Sequence, residues 1–333
     1  MKNVTIQDIA RVAGVSKSTV SRVLNGTVAV NPEKKKSVLD ATKRLGFKPS
    51  LIARSLASGR SMTIGVLTQM IGSPFYDAIS QGVIAGLGDT GYSPLFADGR
   101  WQVQKEADAL TALVGRRVDG VVLVGGSMTS EQISEVCMGL PTLTVARRFY
   151  DQPIHSIAID NELGGYQATD CLLRLGHQRI AMIRGIEQHE DARDRFAGYQ
   201  RAMGEAGVAV DPSLVVDGDF SAESGIRAVG ELLSRGCEFS AIFAANDLTA
   251  FGARLALDRN GLRVPDDVSL VGFDDQMESA FFVPPLTTIR QPAREMGKQA
   301  SVAMMNLING SGFESCLLTS ELVVRESTRS VKD

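Results

Sequence analysis

Apolar residues near the start of the chain recur at three- and four-residue spacing. Ile6, Ile9, Ala10 and Ala13 fall on one side of a helix. Thr5 stands just before them and Asp8 three positions later, a short-armed capping box. Gly14 breaks this helix, Val15 plugs the turn, and Ser16 caps a second helix over KSTVSRVLN that turns Val20, Val23 and Leu24 inward. A third segment from Pro32 to Leu45 opens with proline in its first turn. It adds Val38, Ala41, Thr42 and Leu45 to the same small core and ends at Gly46. Two short helices joined by a glycine-containing turn make a helix-turn-helix unit.

From Met62 the pattern becomes an alternation of short apolar runs with amphipathic stretches. Strand-like runs are Ile64–Thr68, Pro94–Ala97, Val121–Val124 and Thr142–Ala146, then Ile157–Ile159, Ile180–Ile183, Val215–Val216, Ala241–Ala244 and Val268–Gly272. Helical stretches between them include Tyr76–Gly86, Gln104–Val114, Gly164–Leu175, Phe196–Ala206, Ser224–Leu233 and Leu248–Arg259. This order predicts parallel sheets covered by helices on both faces, in two doubly wound lobes. Such sheets bind ligands at the carboxyl ends of their strands, which places the expected pocket in a cleft between the lobes. The string GLGDTG (Gly86, Gly88, Gly91) matches a dinucleotide fingerprint but ends a helix instead of opening one, so Gly91 reads as a C-cap.

Charge sharpens the division. Residues 1–60 hold 12 Lys and Arg against 3 Asp and Glu, whereas the remainder holds 23 against 35. A basic end on an acidic body fits a protein that meets a polyanion at one end only. The alternative, a helical hairpin for protein contacts, accounts less well for the polar outer face of the second helix. There Lys17, Ser18 and Arg22 point at base edges, Arg22 with the guanidinium fork suited to guanine. Thr5, Ser16, Thr19, Ser21 and Asn25 carry short polar groups suited to phosphates. Cys137, Cys171, Cys237 and Cys316 form no CxxC pair and have no histidine at ligand spacing, so neither a disulfide framework nor a metal site is expected. No secretion signal and no run of about 18 apolar residues is evident, and a cytoplasmic protein is expected.

The segment VTIQDIARVAGVSKSTVSRVLNG closely resembles the head of the LacI/GalR family of bacterial transcription regulators. In that family Lys17 and Ser18 hold the variable base-reading positions. SLIARSLASGR, after Phe47, Lys48 and Pro49, resembles the family hinge. The resemblance implies that Leu56, with Ala53 one turn earlier, enters the minor groove when two hinges pair on DNA. The division expected is an all-α helix-turn-helix head at 1–46, a hinge at 47–61, and an α/β body at 62–333. The body resembles the periplasmic-binding-protein type. That fold implies three crossings between lobes, near Asp160–Glu162, Ile289–Gln291 and Leu318–Leu322. Lobe 1 then spans about 62–160 and 291–320, and lobe 2 about 161–290 and 321–333.

Family matching also implies an effector set. Arg195 lies in DARDRFAGY with Asp191, Asn246 and Asp247 lie in AIFAANDLTAFGA, Asp274 in LVGFDD and Gln291 in TTIRQP. Phe220 supplies an aromatic wall, and Ser73, Phe75 and Tyr76 the rim of the other lobe. Asp247 reads as the N-cap of the following helix, leaving the ligand role to Asn246. Arg195 has Asp191 and Asp194 as alternative partners, and His177 reads as structural. His189 and Asp191 replace groups suited to a purine and favour sugar hydroxyls, as in disaccharide and glycoside regulators. No apolar heptads follow VVRESTRSVKD, so a homodimer without a coiled-coil tail is expected.

The functional expectation is a DNA-binding transcription repressor of carbohydrate-utilisation genes, a homodimer on a palindromic double-stranded operator, released by a mono- or disaccharide or a derivative. It is expected to need no cofactor and to catalyse no reaction. A corepressor- or partner-protein-dependent regulator and a solute-binding transport protein are the alternatives. The latter predicts a signal peptide and no basic head.

Overall fold

A computed structural model describes residues 4–25, 30–47, 59–149 and 154–331. Internal contacts divide the chain into a unit running up to Thr63, which includes Arg117–Asp119, and a unit made of the rest.

The first unit contains α1 (Ile6–Ala13), α2 (Lys17–Asn25) and α3 (Pro32–Arg44). Thr5 and Asp8 form the reciprocal capping box at the start of α1. Gly14 closes α1 at φ 66°, a left-handed conformation that an L side chain would strain, and its N–H reaches Ala10 O. Ser16 Oγ accepts from Thr19 N at 3.2 Å to start α2, and Asn31 Oδ1 accepts from Glu33 N at 2.9 Å to start α3. Ile9, Val20 and Val38 are wholly buried, with Ala10 and Ala41 beside them; Val15, Val23, Leu24 and Leu45 pack around this centre. Each fully buried aliphatic side chain contributes roughly 1.5–3 kcal/mol, so this small core rests on a few residues. Ile6 stays exposed, and the apolar face of α1 narrows to Ile9, Ala10 and Ala13.

The second unit holds two six-stranded sheets. The first contains β1 (Thr63–Thr68), β2 (Ser93–Asp98), β3 (Gly120–Val124), β4 (Thr142–Val145), β5 (His155–Ile159) and β11 (Cys316–Leu318), in the order β11-β5-β4-β3-β1-β2. The second contains β6 (Ile180–Ile183), β7 (Val215–Val216), β8 (Ala241–Ala244), β9 (Ser269–Asp274), β10 (Thr287–Arg290) and β12 (Glu321–Val323), in the order β12-β10-β9-β8-β6-β7. Recorded pairings are parallel (Ile64 opposite Gly120, Ile180 opposite Ala241) except β10 with β12, where Thr288 faces Val323 in an antiparallel ladder. Both faces of these sheets are covered, which is why β3, β6 and β8 are buried along their whole length. The chain passes from the first sheet to the second after Ile159, returns after Arg290 and crosses again between Leu318 and Glu321.

Three helix pairs pack unusually closely, each through facing glycines. Between α4 (Pro74–Leu87) and α11 (Ala293–Ile308), a Cβ on Gly297 would lie 2.0 Å from Ile79 O. Between α7 (Asn161–Arg174) and α8 (Glu190–Glu205), a Cβ on Gly165 would lie 2.2 Å from Arg195 O. Between α9 (Ala222–Ser234) and α10 (Asp247–Arg259), one on Gly252 would lie 1.8 Å from Ala222 O. The two remaining helices, α5 (Val103–Gly115) and α6 (Ser130–Cys137), belong to the first lobe.

Some expectations change. Helix α8 begins at Glu190, well before Phe196, because the charged run EDARDR hides its first turns from an apolar pattern. Thr287–Arg290 is a full strand beside β9. Gly88, not Gly91, caps α4; Gly91 adopts φ 78° in the turn before β2. His177 bridges Ser240 Oγ (2.9 Å), Ser269 Oγ (3.0 Å) and Arg329 O (3.0 Å), tying the C-terminal segment to the second sheet.

Candidate functional site

Two surfaces carry the candidate chemistry. On the first unit, Ser16, Lys17, Ser18, Thr19, Ser21 and Arg22 gather at the amino end and along one side of α2, with Ser16, Lys17, Ser18 and Arg22 exposed. Ser16 Oγ links to Ser18 Oγ at 2.8 Å and to Thr19 Oγ1 at 2.9 Å, which fixes these hydroxyls at the helix start. Thr5 sits apart, at the start of α1, with its hydroxyl given to Asp8 Oδ2 at 2.7 Å. Asn25 closes α2. Ala53 and Leu56 lie outside the described residues.

On the second unit, a cleft opens where the strands of both sheets end. Ser73, Phe75 and Tyr76 follow β1, and Trp101 follows β2. Asp191 and Arg195 stand on the first turns of α8, after β6. Phe220, Asn246, Asp274 and Gln291 stand at or just beyond the ends of β7, β8, β9 and β10. All nine residues proposed for the effector line one inner chamber of about 200 Å³. An outer chamber of about 230 Å³ shares Phe75, Tyr76, Trp101, Asp191, Arg195 and Gln291 with it. Either chamber alone is smaller than the roughly 300–1,000 Å³ usual for a ligand site; joined, they fall inside that range.

Arg195 is the fixed point of the inner chamber. It is 3% exposed, donates through Nε to Asn161 Oδ1 (3.0 Å) and through Nη1 to Ala245 O (2.7 Å), and stacks 3.8 Å from the Phe273 ring centroid. Asp191 is only 3.7 Å away and completes its orientation. Asp274 Oδ1 accepts from Gln291 Nε2 at 2.7 Å, and Gln276 Nε2 reaches its other oxygen at 3.3 Å. Burial pushes the Asp274 carboxyl up to about 6, with the Arg195 charge working against the rise. The two lobes meet through aromatic rings: Trp101 stacks on His189 at 3.9 Å, and His189 lies 6.0 Å from Phe220. Among the described residues no group bonds to the buried His189 Nδ1, and burial lowers the pKa of this imidazole.

Residues 5–50 match the bacterial regulatory proteins of the lacI family, and residues 169–328 match the periplasmic binding protein-like domain. The HTH-type transcriptional regulator RegA of Clostridium saccharobutylicum is 37% identical over 330 residues, 97% of this chain and 99% of that one. The chain belongs to the lacI family of bacterial regulatory proteins. It superposes with a TM-score of 0.90 on the lac repressor dimer bound to operator and the anti-inducer ONPF, at 32% identity over 99% of this chain and 100% of the other. A complex of the transcriptional regulator CelR with cellobiose matches at a TM-score of 0.74 and 34% identity, covering 97% of this chain and 99% of that one. As a lacI-family member this chain is a DNA-binding transcription regulator whose relatives are regulators and not enzymes.

Within this lacI-family cleft the cap of α10 falls to Asn246, where the sequence expectation gave it to Asp247. Asn246 caps α10, its Oδ1 accepting from Thr249 N at 2.9 Å while Nδ2 donates to Phe220 O at 3.0 Å, so one amide N–H remains for a ligand. Asp247 is wholly buried and accepts from Gln276 N (2.8 Å), Ser279 Oγ (2.6 Å) and Thr288 Oγ1 (2.6 Å). Burial, then the Asp274 charge, pushes its carboxyl up to about 7. Asp247 thus braces the loop that carries Gln276 and reaches no ligand itself. Asp275, beside Asp274, is taken by Arg290 and Arg325. Sequence reasoning did not single out Gln276, Arg147 or Arg193. The available signal was position, since Arg147 lies just past the end of β4 as Asp274 lies at the end of β9.

Proposed function

We propose that this regulator is a homodimeric repressor that binds a palindromic operator through Lys17, Ser18 and Arg22 and is released by a sugar-like inducer held in the cleft. The observation that carries the reading is the inner chamber. It combines a fixed guanidinium (Arg195), a carboxylate (Asp274), amides (Asn246, Gln276, Gln291) and the ring faces of Phe220 and Trp101. Sugars present hydroxyls in many directions and one apolar ring face, and this set of donors, acceptors and aromatic surfaces answers both. The CelR relative, solved as a complex with cellobiose, supports a carbohydrate ligand.

Pairing is supported by an apolar patch on the second lobe. Met277 is 75% exposed, and Phe281 and Val283, a few positions later in the chain, are each 78% exposed, apolar side chains of the kind an interface covers. We assign this patch to a second copy of the chain, as the lac repressor relative is a dimer.

A thermal-shift screen of mono- and disaccharides and their phosphates, followed by operator gel shifts with the hits, tests the reading. At least one sugar should raise the melting temperature and release operator. Linkage then requires saturating operator to weaken the binding of that sugar by the same factor by which the sugar weakens operator binding. A panel in which no sugar stabilises the protein, or a stabilising sugar indifferent to operator, refutes it.

A further inference from the structure

The two chambers differ in charge. Residues found only in the inner one add Asp219 and Asp274 and no cation, whereas those found only in the outer one include Arg147, Arg148 and Arg193 against Glu190 and Asp194. Arg147 is half-buried at the end of β4, its guanidinium lying 4.5 Å over the Phe149 ring. That stacking occupies the face of the guanidinium and leaves its N–H edge, the fork that matches a carboxylate or phosphate. No carboxylate of the described residues lies within ion-pair distance of Arg147. Burial lowers the Arg147 pKa, and the Glu106 and Glu190 charges offset this only in part, so an arriving anion would relieve the remaining desolvation cost. Glu190 and Asp194 line the same chamber, and burial raises both carboxyls, that of Asp194 to about 6.

We infer that the outer chamber takes an anionic substituent, a phosphate or carboxylate, on a sugar whose neutral ring fills the inner chamber, with Arg147 as its principal counter-charge. This deepens the sugar reading above and rests on it. The acidic inner chamber would repel the same group, so the charge difference also sets the orientation of the ligand.

Titration calorimetry on the full chain decides the matter, with glucose and cellobiose as neutral probes. Their 6-phosphates, the matching uronic acids and inorganic phosphate complete the set. At least one anionic sugar should bind about ten- to a hundred-fold more tightly than its neutral parent, the range expected for a charge-assisted hydrogen bond. Arg147→Gln should erase that preference and Arg147→Lys should keep part of it, with melting temperatures checking that both variants fold. A preference for phosphates alone, or for phosphates and uronic acids alike, supports the inference and names the anion. Neutral sugars binding as tightly as their anionic forms, or a preference that survives Arg147→Gln, overturns it while leaving the sugar reading intact. Inorganic phosphate binding as tightly as any sugar phosphate overturns the link to a sugar. If no sugar of either kind binds, the sugar reading falls, and this inference with it.

Discussion

Replacing Asp274 by Asn should make the ligand-free protein more stable at pH 8 and a poorer sensor. Asp274 is held between Gln291 and Gln276, and burial lifts its carboxyl from 3.8 to about 6. About two pKa units at roughly 1.4 kcal/mol each set a ceiling near 3 kcal/mol on the cost of ionising it in the folded state. The residue is only part-buried, its open edge facing the chamber, so solvent screening brings that to about 1–2 kcal/mol. The sign follows from linkage. A carboxyl whose folded pKa is raised contributes stability that is fully present below its unfolded pKa near 4 and is lost as pH rises through about 6. Asn carries no charge and removes this loss; it also relieves Asp247, which the Asp274 charge helps to push up. Asn accepts the left-handed backbone at this position (φ 120°) about as readily as Asp.

Calorimetric melting should therefore show Asp274→Asn above the parent by a few degrees at pH 8, since about 1 kcal/mol moves Tm by roughly 2–4 °C in a domain of this size. At pH 4 the two should coincide. Inducer affinity should fall about ten- to a hundred-fold, because the charged acceptor for a sugar hydroxyl is gone. An equal gain at both pH values, or a loss at pH 8, would show that the carboxylate carries no ionisation cost and would refute the reasoning. More stability with less function is the expected signature of a group kept for its ligand.

Other substitutions probe separate links. Asn246→Ala removes the cap of α10 and the bond to Phe220 O and should lower stability by about 1–2 kcal/mol, read as a fall in Tm. Gly297→Ala forces a methyl to 2.0 Å from Ile79 O and should cost about 1–3 kcal/mol, whereas Gly230→Ala, in open space on α9, should be neutral or stabilising in the same melt. Phe281→Asp should shift the protein to monomer in sedimentation and weaken operator binding without changing the fold seen by circular dichroism. Lys17→Ala should alter base preference across an operator series; a uniform loss at every sequence would reassign Lys17 to a phosphate.

The parts of the fold that local rules govern were legible in the sequence. Thr5 with Asp8, Gly14 and Ser16 act within four residues of their partners, and the structure closes the capping box where the spacing placed it. The strands ending near Phe220, Asn246 and Asp274 were equally visible, Gln291 came through family matching, and parallel topology brought these residues to one cleft. The roles of Asn246 and Asp247 were not legible. Both are good cap residues, and the choice between them depends on partners 29 to 41 positions away: Gln276, Ser279 and Thr288. It also depends on Gly272, where any Cβ would come within 2.3 Å of Asp247 Oδ1. The facing glycines were invisible for the same reason. Gly165 reads as a flaw in a helix until Arg195 O arrives against it, and that close approach holds the Arg195 guanidinium beside Asn161 and the inner chamber. What periodicity misses here is contact between distant segments. The ligand-facing side of this cleft consists of such contacts, with each wall supplied by a different strand end. The composition of those ends can therefore change without disturbing the pattern that specifies the fold.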